Sequence, residues 1–220
     1  MRFIHSIWIA MFFLVPCPLV MARQAQEIPL GLDSLKGRAR LSALLDVTVQ
    51  SDGPGPTKER LAQAKEASVL ARDLGDPLAQ ARAMSQLGYW QYRDADYPGS
   101  LETYFQTREL CTKIQDRSGA SLMEEQIGHT FLYCYADYNN ALKYYLEAFE
   151  TAKIANDSNR IVKTMSFIGD VYSQKGEFQT ATSYFTKALA ICENPGAPPR
   201  GNSIAQMDEN AEYSLKMAQG

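Results

Sequence analysis

Few side chains in this sequence could act as a nucleophile, a general base or a metal ligand. The histidines are His5 and His129, and the cysteines are Cys17, Cys111, Cys134 and Cys192. No two cysteines have the Cys-x-x-Cys spacing of a structural zinc site. The sequence also lacks a Gly-x-Ser-x-Gly nucleophile motif, a phosphate-binding glycine loop and a His-Glu-x-x-His zinc motif. We therefore predict no catalytic residue, no metal, no cofactor and no enzymatic activity.

A repeated pattern of glycines and aromatic residues organises the elements that carry these side chains. Gly88, Gly128 and Gly169 are 40 and 41 residues apart, and each is followed by an acidic residue and an aromatic one. A second aromatic comes seven residues later, at Tyr104, Tyr145 and Phe185. Repetition at this period indicates a solenoid of helices. The third repeat has one extra residue, which we place in the turn near Tyr135 and Ala136.

Close packing explains why small and large residues alternate in this pattern. We expect the glycines to lie where the backbones of two helices would otherwise collide. The aromatics should fill the neighbouring holes as buried packing residues rather than form a cofactor platform. Cys111 and Cys192 occupy equivalent positions two repeats apart, where a small buried side chain suits the packing. We expect Cys111, Cys134 and Cys192 to be unpaired.

In these residues the chain resembles the tetratricopeptide repeat family. The matches are clearest in the third and fourth repeats, at Ile127-Gly128, Asp137-Tyr138, Ala141, Tyr145, Ala148, Ile168-Gly169, Gly176-Glu177-Phe178, Ala181, Phe185 and Ala188. The second repeat is weaker, and the first is degenerate, with Val47-Thr48 at the Leu-Gly site. The resemblance covers about residues 38–193 and is closest to the longer-period variant common in bacterial regulatory and sensory proteins. It implies an all-α protein, a right-handed α-solenoid of antiparallel helix pairs with a C-terminal capping helix.

The first 22 residues have the pattern of a secretory signal peptide. Arg2 precedes an apolar run from Ile7 to Val15, and Val20 and Ala22 fit the −3 and −1 positions of a cleavage site. The protein is therefore predicted to be periplasmic or secreted. An uncleaved membrane anchor is the main alternative. Pro16 disfavours a lipoprotein site at Cys17.

Four further segments follow the signal peptide. We assign residues 23–37 to a leader, residues 38–193 to a helical-repeat domain of about four repeats, residues 194–201 to a linker and residues 202–220 to a C-terminal helix. In the repeats, helices are predicted near 38–50, 57–74, 77–93, 97–114, 117–134, 138–155, 159–175 and 178–192. Ile204, Met207, Ala211 and Leu215 lie on one stripe of the last segment. That segment either caps the fourth repeat or begins a further one.

Composition favours a helical domain and does not indicate nucleic-acid binding. Hydrophobic residues make up 45% of the chain, charged residues 21%, and the formal net charge is −3. No basic surface for nucleic acid or anionic lipid is indicated. We expect contact with a membrane only if the signal segment is not cleaved.

The resemblance also implies a partner-binding groove along the first helix of each repeat. Its side chains would be Arg82, Ser85, Tyr89, Tyr92, Arg93, Glu125, His129, Leu132, Tyr133, Lys163, Ser166, Asp170 and Ser173. Family members that clamp a peptide carboxylate place Lys and Asn where this chain has Ser85 and Tyr89, so that clamp is absent. Tyrosines, a histidine and mixed charges suggest a groove for a peptide or a partner helix. The alternative is a solvated face that binds nothing.

Two functions are compatible with these features. The first is a non-catalytic interaction scaffold in the bacterial envelope that binds a protein or peptide. The second is the sensory repeat region of a signalling protein of the kinase or cyclase type, here without its output domain. A membrane segment and a catalytic domain encoded beyond Gly220 would favour the second.

Overall fold

In a computed structural model, residues 32–49 and 57–193 are described. Within these ranges the chain forms eight α-helices, one short 3-10 helix and no strand. The elements are η1 (Leu32–Ser34), α1 (Gly37–Thr48), α2 (Thr57–Asp73), α3 (Pro77–Arg93), α4 (Tyr97–Lys113), α5 (Arg117–Tyr135), α6 (Tyr138–Ala155), α7 (Ser158–Gln174) and α8 (Phe178–Glu193). This confirms the prediction of an all-α solenoid built from helix pairs.

Several predicted segments fall on other parts of the chain. The signal peptide at 1–22, most of the leader at 23–37, the linker at 194–201 and the C-terminal helix at 202–220 lie outside the described residues and stay predictions. Among the helices that are described, none is long and apolar enough to cross a membrane.

Aspartates begin five of the helices in the repeats. In each case the carboxylate accepts a hydrogen bond from the backbone N–H three residues later, which satisfies a donor that the helix cannot. The pairs are Asp76 with Ala79 at 3.0 Å, Asp96 with Gly99 at 3.0 Å, Asp116 with Gly119 at 2.9 Å, Asp137 with Asn140 at 3.0 Å and Asp157 with Arg160 at 3.1 Å. Each cap contributes about 1 kcal/mol to helix stability.

The extra residue of the third repeat lies in a helix rather than in a loop. Helix α5 has 19 residues and extends to Tyr135, whereas α3 and α7 have 17 each. Ala136 then adopts a left-handed conformation, with φ 51°. The amide of Asp137 reaches back six residues to the carbonyl oxygen of Phe131, at 3.0 Å. The predicted position near Tyr135 is right, but the added residue lengthens α5 and the loop shortens.

Each repeat glycine lies directly against an aromatic ring of the next helix. A Cβ on Gly88 would lie 2.6 Å from Cε1 of Tyr104, and one on Gly128 would lie 2.8 Å from Cδ1 of Tyr145. On Gly169 it would lie 2.7 Å from Cε1 of Phe185. The glycines are therefore required for close packing, as predicted. The group that they accommodate is a ring and not, as we had expected, the neighbouring backbone.

The repeated aromatic and cysteine positions are buried in the earlier repeats but exposed in α8. Tyr104 and Tyr145 are 1% and 0% exposed, but Phe185 is 39% exposed. The prediction that all three rings are buried is therefore wrong for Phe185. Cys192 is likewise exposed, whereas its counterpart Cys111 is buried. Both differences arise because no described helix packs against the outer face of α8.

The degenerate first repeat joins the stack through polar contacts. Thr48, at the position of the repeat glycines, is fully buried, and its hydroxyl donates to the carbonyl oxygen of Leu44 at 2.7 Å. The indole N–H of Trp90 donates to the carbonyl oxygen of Thr48 at 3.0 Å, and Gln86 bonds the carbonyl oxygen of Leu45 at 3.2 Å. These bonds fix α1 against α3, although the first repeat lacks both glycine and aromatic.

Candidate functional site

The odd-numbered helices form the inner side of the solenoid. The backbone of α3 approaches those of α1 and α5, and α5 approaches α7. Among the described helices, the backbones of α2, α4, α6 and α8 approach only their neighbours along the chain. Because the odd-numbered helices are closer together, the stack curves toward them. We call the side chains of α1, α3, α5 and α7 that point away from the even-numbered helices the concave surface.

The predicted groove residues differ widely in exposure. Arg82, Arg93, Tyr133 and Lys163 are exposed. Partly buried are Ser85, Tyr89, Tyr92, His129, Ser166, Asp170 and Ser173. Two are in the interior, since Glu125 is 5% exposed and Leu132 is 3% exposed. The predicted set therefore contains both accessible side chains and residues that shape the surface from below.

A cavity of about 700 Å³ lies at one end of the concave surface and is lined by residues of α1, α3, α4 and α5. Its lining includes the predicted residues Arg82 and Ser85, and four residues of α1 and its C-terminal end that the sequence analysis missed: Ser42, Leu45, Asp46 and Val49. These four positions are Arg82, Ser85, Gln86 and Tyr89 moved back by the 40-residue period. The 40-residue register places these four positions in the groove. They were not predicted because the first repeat carries too few residues of the family pattern.

Tyr89 and Arg93 form a pair on α3. The guanidinium of Arg93 donates to the hydroxyl of Tyr89 at 2.8 Å and lies 5.7 Å from the centre of its ring. Tyr92 has a different environment, with its ring 5.6 Å from that of Tyr97. Burial, followed by a hydrogen bond with Cys134, raises the pKa of Tyr92 to about 12. Tyr92 thus belongs to the junction of α3 with α4 and α5 and does not join the Tyr89 pair.

His129 stands at the centre of an aromatic cluster between α5 and α7. Its ring centroid is 4.3 Å from that of Phe167, 5.5 Å from that of Tyr145 and 5.6 Å from that of Tyr133. Burial lowers the pKa of His129 to about 4. The imidazole is therefore neutral near pH 7 and contributes a flat ring rather than a positive charge.

Two carboxyls flank this cluster in different electrostatic states. A guanidinium nitrogen of Arg160 lies 3.4 Å from the carboxylate of Glu125. Burial raises the pKa of Glu125, and the charges of Arg160 and Lys163 oppose that rise. Burial also raises the pKa of Asp170. Glu125 is hence neutralised by Arg160, whereas Asp170 makes no ion pair with any residue in the described ranges 32–49 and 57–193.

The described side chains form a surface suited to binding. Within residues 32–49 and 57–193, no group of three or more histidines, cysteines, aspartates or glutamates could hold a metal ion. The rings that pack around His129 are those of Tyr133, Tyr145 and Phe167. The concave surface offers aromatic faces, hydrogen-bonding groups and charges of both signs, which are the features of a recognition site.

Comparison with known proteins identifies the repeat. Residues 127–194 match the family model described as tetratricopeptide repeat. None of the curated proteins matches the chain significantly. Among solved structures, the crystal structure of BtubC (BKLC) from P. vanneervenii is similar, with a TM-score of 0.59 and 18% sequence identity. The match covers 86% of this chain and 74% of that one. At this identity the similarity supports the fold alone.

Proposed function

We propose that this chain, in which residues 127–194 are tetratricopeptide repeats, is a non-catalytic scaffold that binds a partner segment along its concave surface. Tetratricopeptide repeats commonly mediate binding between proteins. A peptide or a helix of a partner protein would lie across the odd-numbered helices. From the pattern of residues 1–22, we further propose that this binding takes place in the bacterial envelope.

The cavity lined by α1, α3, α4 and α5 is the observation that carries this proposal. Its volume of about 700 Å³ falls in the range of roughly 300–1,000 Å³ found for ligand pockets. Leu45, Val49 and Leu122 supply apolar surface, and Val49 is 55% exposed. Arg82 and Asp46 add opposite charges within the same lining. A partner side chain could bury apolar area here while a polar group fixes its orientation.

The chemistry of the groove also limits the kind of segment that it binds. Ser85 lines the cavity and is too short to reach a distant carboxylate, and the Tyr89 hydroxyl is bonded to Arg93. Neither residue offers the amine or amide of a carboxylate clamp. We therefore infer that the partner is recognised through internal side chains and not through a free C-terminus.

Peptide selection tests the proposed function. We expect a random twelve-residue peptide library displayed on phage to yield binders to the full chain. Val49→Glu should weaken them at least about tenfold, because it introduces a charge into the apolar wall of the cavity. Val69→Glu is the matched control, since Val69 is 42% exposed on α2 and does not line the cavity.

Calorimetric titration of the selected peptides would measure both effects, and thermal melts would show that both variants are folded. Equal affinity of the two variants, or a library that yields no binder, would count against the proposed function.

A further inference from the structure

We propose that the concave surface between α5 and α7 contains a subsite for a positively charged side chain, a lysine or arginine of the bound segment. Asp170 and the ring of Tyr133 would hold it at the surface, and insertion of its charged end beside Tyr133 would bring it to the hydroxyl of Tyr145, which is buried in the free protein. This inference rests on the proposed function and specifies the chemistry of the partner at one place in the groove. Three features of the described residues support it independently.

The first feature is a buried hydroxyl without a partner. Tyr145 is fully buried, and among the described atoms its hydroxyl oxygen has no hydrogen-bond partner. A buried polar group in this state costs about 1–3 kcal/mol, so its presence needs a reason. After burial, the influences that raise the pKa of Tyr145 come from Tyr133, Glu125, Asp170 and Tyr92. The ring of Tyr145 lies 5.4 Å from that of Phe167 and 5.5 Å from that of His129, so the side chain extends from α6 into the aromatic cluster between α5 and α7.

The other repeats show that packing does not require this hydroxyl. Phe185 occupies the same place under Gly169 and fills it with a plain ring. At Tyr104, in the second repeat, a side-chain hydrogen bond with Ser100 opposes the rise in pKa that burial causes. The residue equivalent to Ser100 in the third repeat is Ala141. Tyr145 hence retains a hydroxyl that nothing in its own repeat satisfies, and an ammonium or guanidinium N–H would satisfy it.

The second feature is an aromatic wall that can receive a cation. Tyr133 is 55% exposed, and its ring stacks on the imidazole of His129 with 5.6 Å between centroids. Phe167 closes the cluster from α7, 4.3 Å from His129. Since burial lowers the pKa of His129 to about 4, its neutral ring does not repel a positive charge. A cation above an exposed aromatic face gains about 0.5–1 kcal/mol, and more when it is desolvated.

The third feature is the acid without a counter-ion. Asp170 is half-buried on α7, one turn after Phe167, and its charge adds to burial in raising the pKa of Tyr133. In the described part of the chain, Asp170 makes no ion pair. Lys163 lies two turns earlier on α7, roughly 10 Å along the helix axis. A partner cation would thus supply the charge that Asp170 lacks, whereas Glu125 is already paired with Arg160 at 3.4 Å.

A titration with a minimal probe tests this subsite without any selected peptide. The probe is N-acetyl-lysine methylamide, and its neutral control is N-acetyl-norleucine methylamide, which has an alkyl side chain and no charge. With the full chain carrying labelled histidine and tyrosine, the lysine probe should produce saturable shifts in the ring signals of His129 and Tyr133. The norleucine probe should not. Equal shifts from both probes, or none from the lysine probe, would overturn the proposal.

Three variants complete the test. Asp170→Asn should weaken the lysine probe about tenfold, whereas Glu102→Gln, an exposed acid of α4, should leave its affinity unchanged. Tyr145→Phe should weaken the probe and at the same time raise the melting temperature, because it removes an unsatisfied buried hydroxyl. If the Tyr145 hydroxyl had only a structural role, Tyr145→Phe would change the melting temperature without weakening the lysine probe. Unchanged affinity in both Asp170→Asn and Tyr145→Phe would refute the subsite.

The subsite and the proposed function can fail separately. If selected peptides depend on Val49 but the lysine probe does not bind, the groove function stands and the cation subsite is wrong. If the lysine probe binds as expected but no peptide is selected, the subsite stands and the proposed function is wrong.

Discussion

At the scale of single residues, Glu124 and Glu125 show how adjacent carboxyls on one helix acquire different roles. Glu125 faces α7, where Arg160 neutralises it. Glu124 is 8% exposed and faces α4 and α6, where a guanidinium nitrogen of Arg108 lies 3.1 Å from the carboxylate of Glu147. Burial, first among several causes, raises the pKa of Glu124 to about 7. One oxygen of its carboxyl has no hydrogen-bond partner among the described atoms.

The Glu124 carboxyl predicts a dependence of stability on pH. Because its pKa is raised in the folded state from 4.5 to about 7, its contribution to stability is fully present below pH 4.5 and is lost as the pH rises through 7. Glu124→Gln stays neutral, so at about pH 8 the variant should be more stable than the parent chain by up to about 3 kcal/mol.

Near pH 4.5 the difference should be small. Urea unfolding of both proteins at the two pH values would measure it. A difference in the free energy of unfolding that does not change with pH would contradict this assignment of Glu124.

Sequence reasoning at this scale predicted which residues share a surface but not their environments. It placed His129, Tyr133 and Asp170 on one surface from the repeat register, and the structure brings the rings of His129 and Tyr133 to 5.6 Å. It did not foresee that Glu125 would be buried and paired with Arg160 of α7. Nor could it show that the pKa of His129 falls to about 4, which follows from rings on two other helices. Such effects arise from contacts distant in the sequence.

At the scale of helices, the pairing of glycine with an aromatic ring dominates the packing. The pattern at Gly88, Gly128 and Gly169 predicted both the number of helices and their order. Aspartates at the helix starts and the 40-residue period fixed the boundaries within one or two residues. The exposure of Phe185 could not be predicted from the same pattern, because it depends on which element packs next to α8.

The third and fourth repeats should therefore respond differently to truncation of equivalent rings. Tyr145→Ala removes a fully buried ring and leaves a cavity below Gly128, so it should cost about 3–5 kcal/mol. Phe185→Ala removes a ring that is 39% exposed, so its cost should be smaller, about 1–2 kcal/mol. Denaturant unfolding of the two variants against the parent chain measures the difference. Equal losses would mean that the outer face of α8 is covered in solution.

At the scale of the whole molecule, curvature brings side chains from four repeats onto one surface. The odd-numbered helices approach one another on the inside, and the cavity of about 700 Å³ is lined by residues of α1, α3, α4 and α5. The sequence predicted this surface for the second to fourth repeats through the family resemblance. The contribution of α1 was missed because Thr48 and its polar partners replace the glycine and aromatic pair that marks the other repeats.

The proposed function requires that partners bind the concave surface and not the convex surface formed by α2, α4, α6 and α8. A photo-reactive amino acid placed at Ser85 or Tyr133 would report the concave side, and one placed at Lys65 or Glu102 would report the even-numbered helices. After irradiation of host cells, we expect the same partner protein to be crosslinked from both concave positions and from neither convex position. Crosslinks from Lys65 and Glu102 alone, or equal crosslinks from all four positions, would contradict the claim.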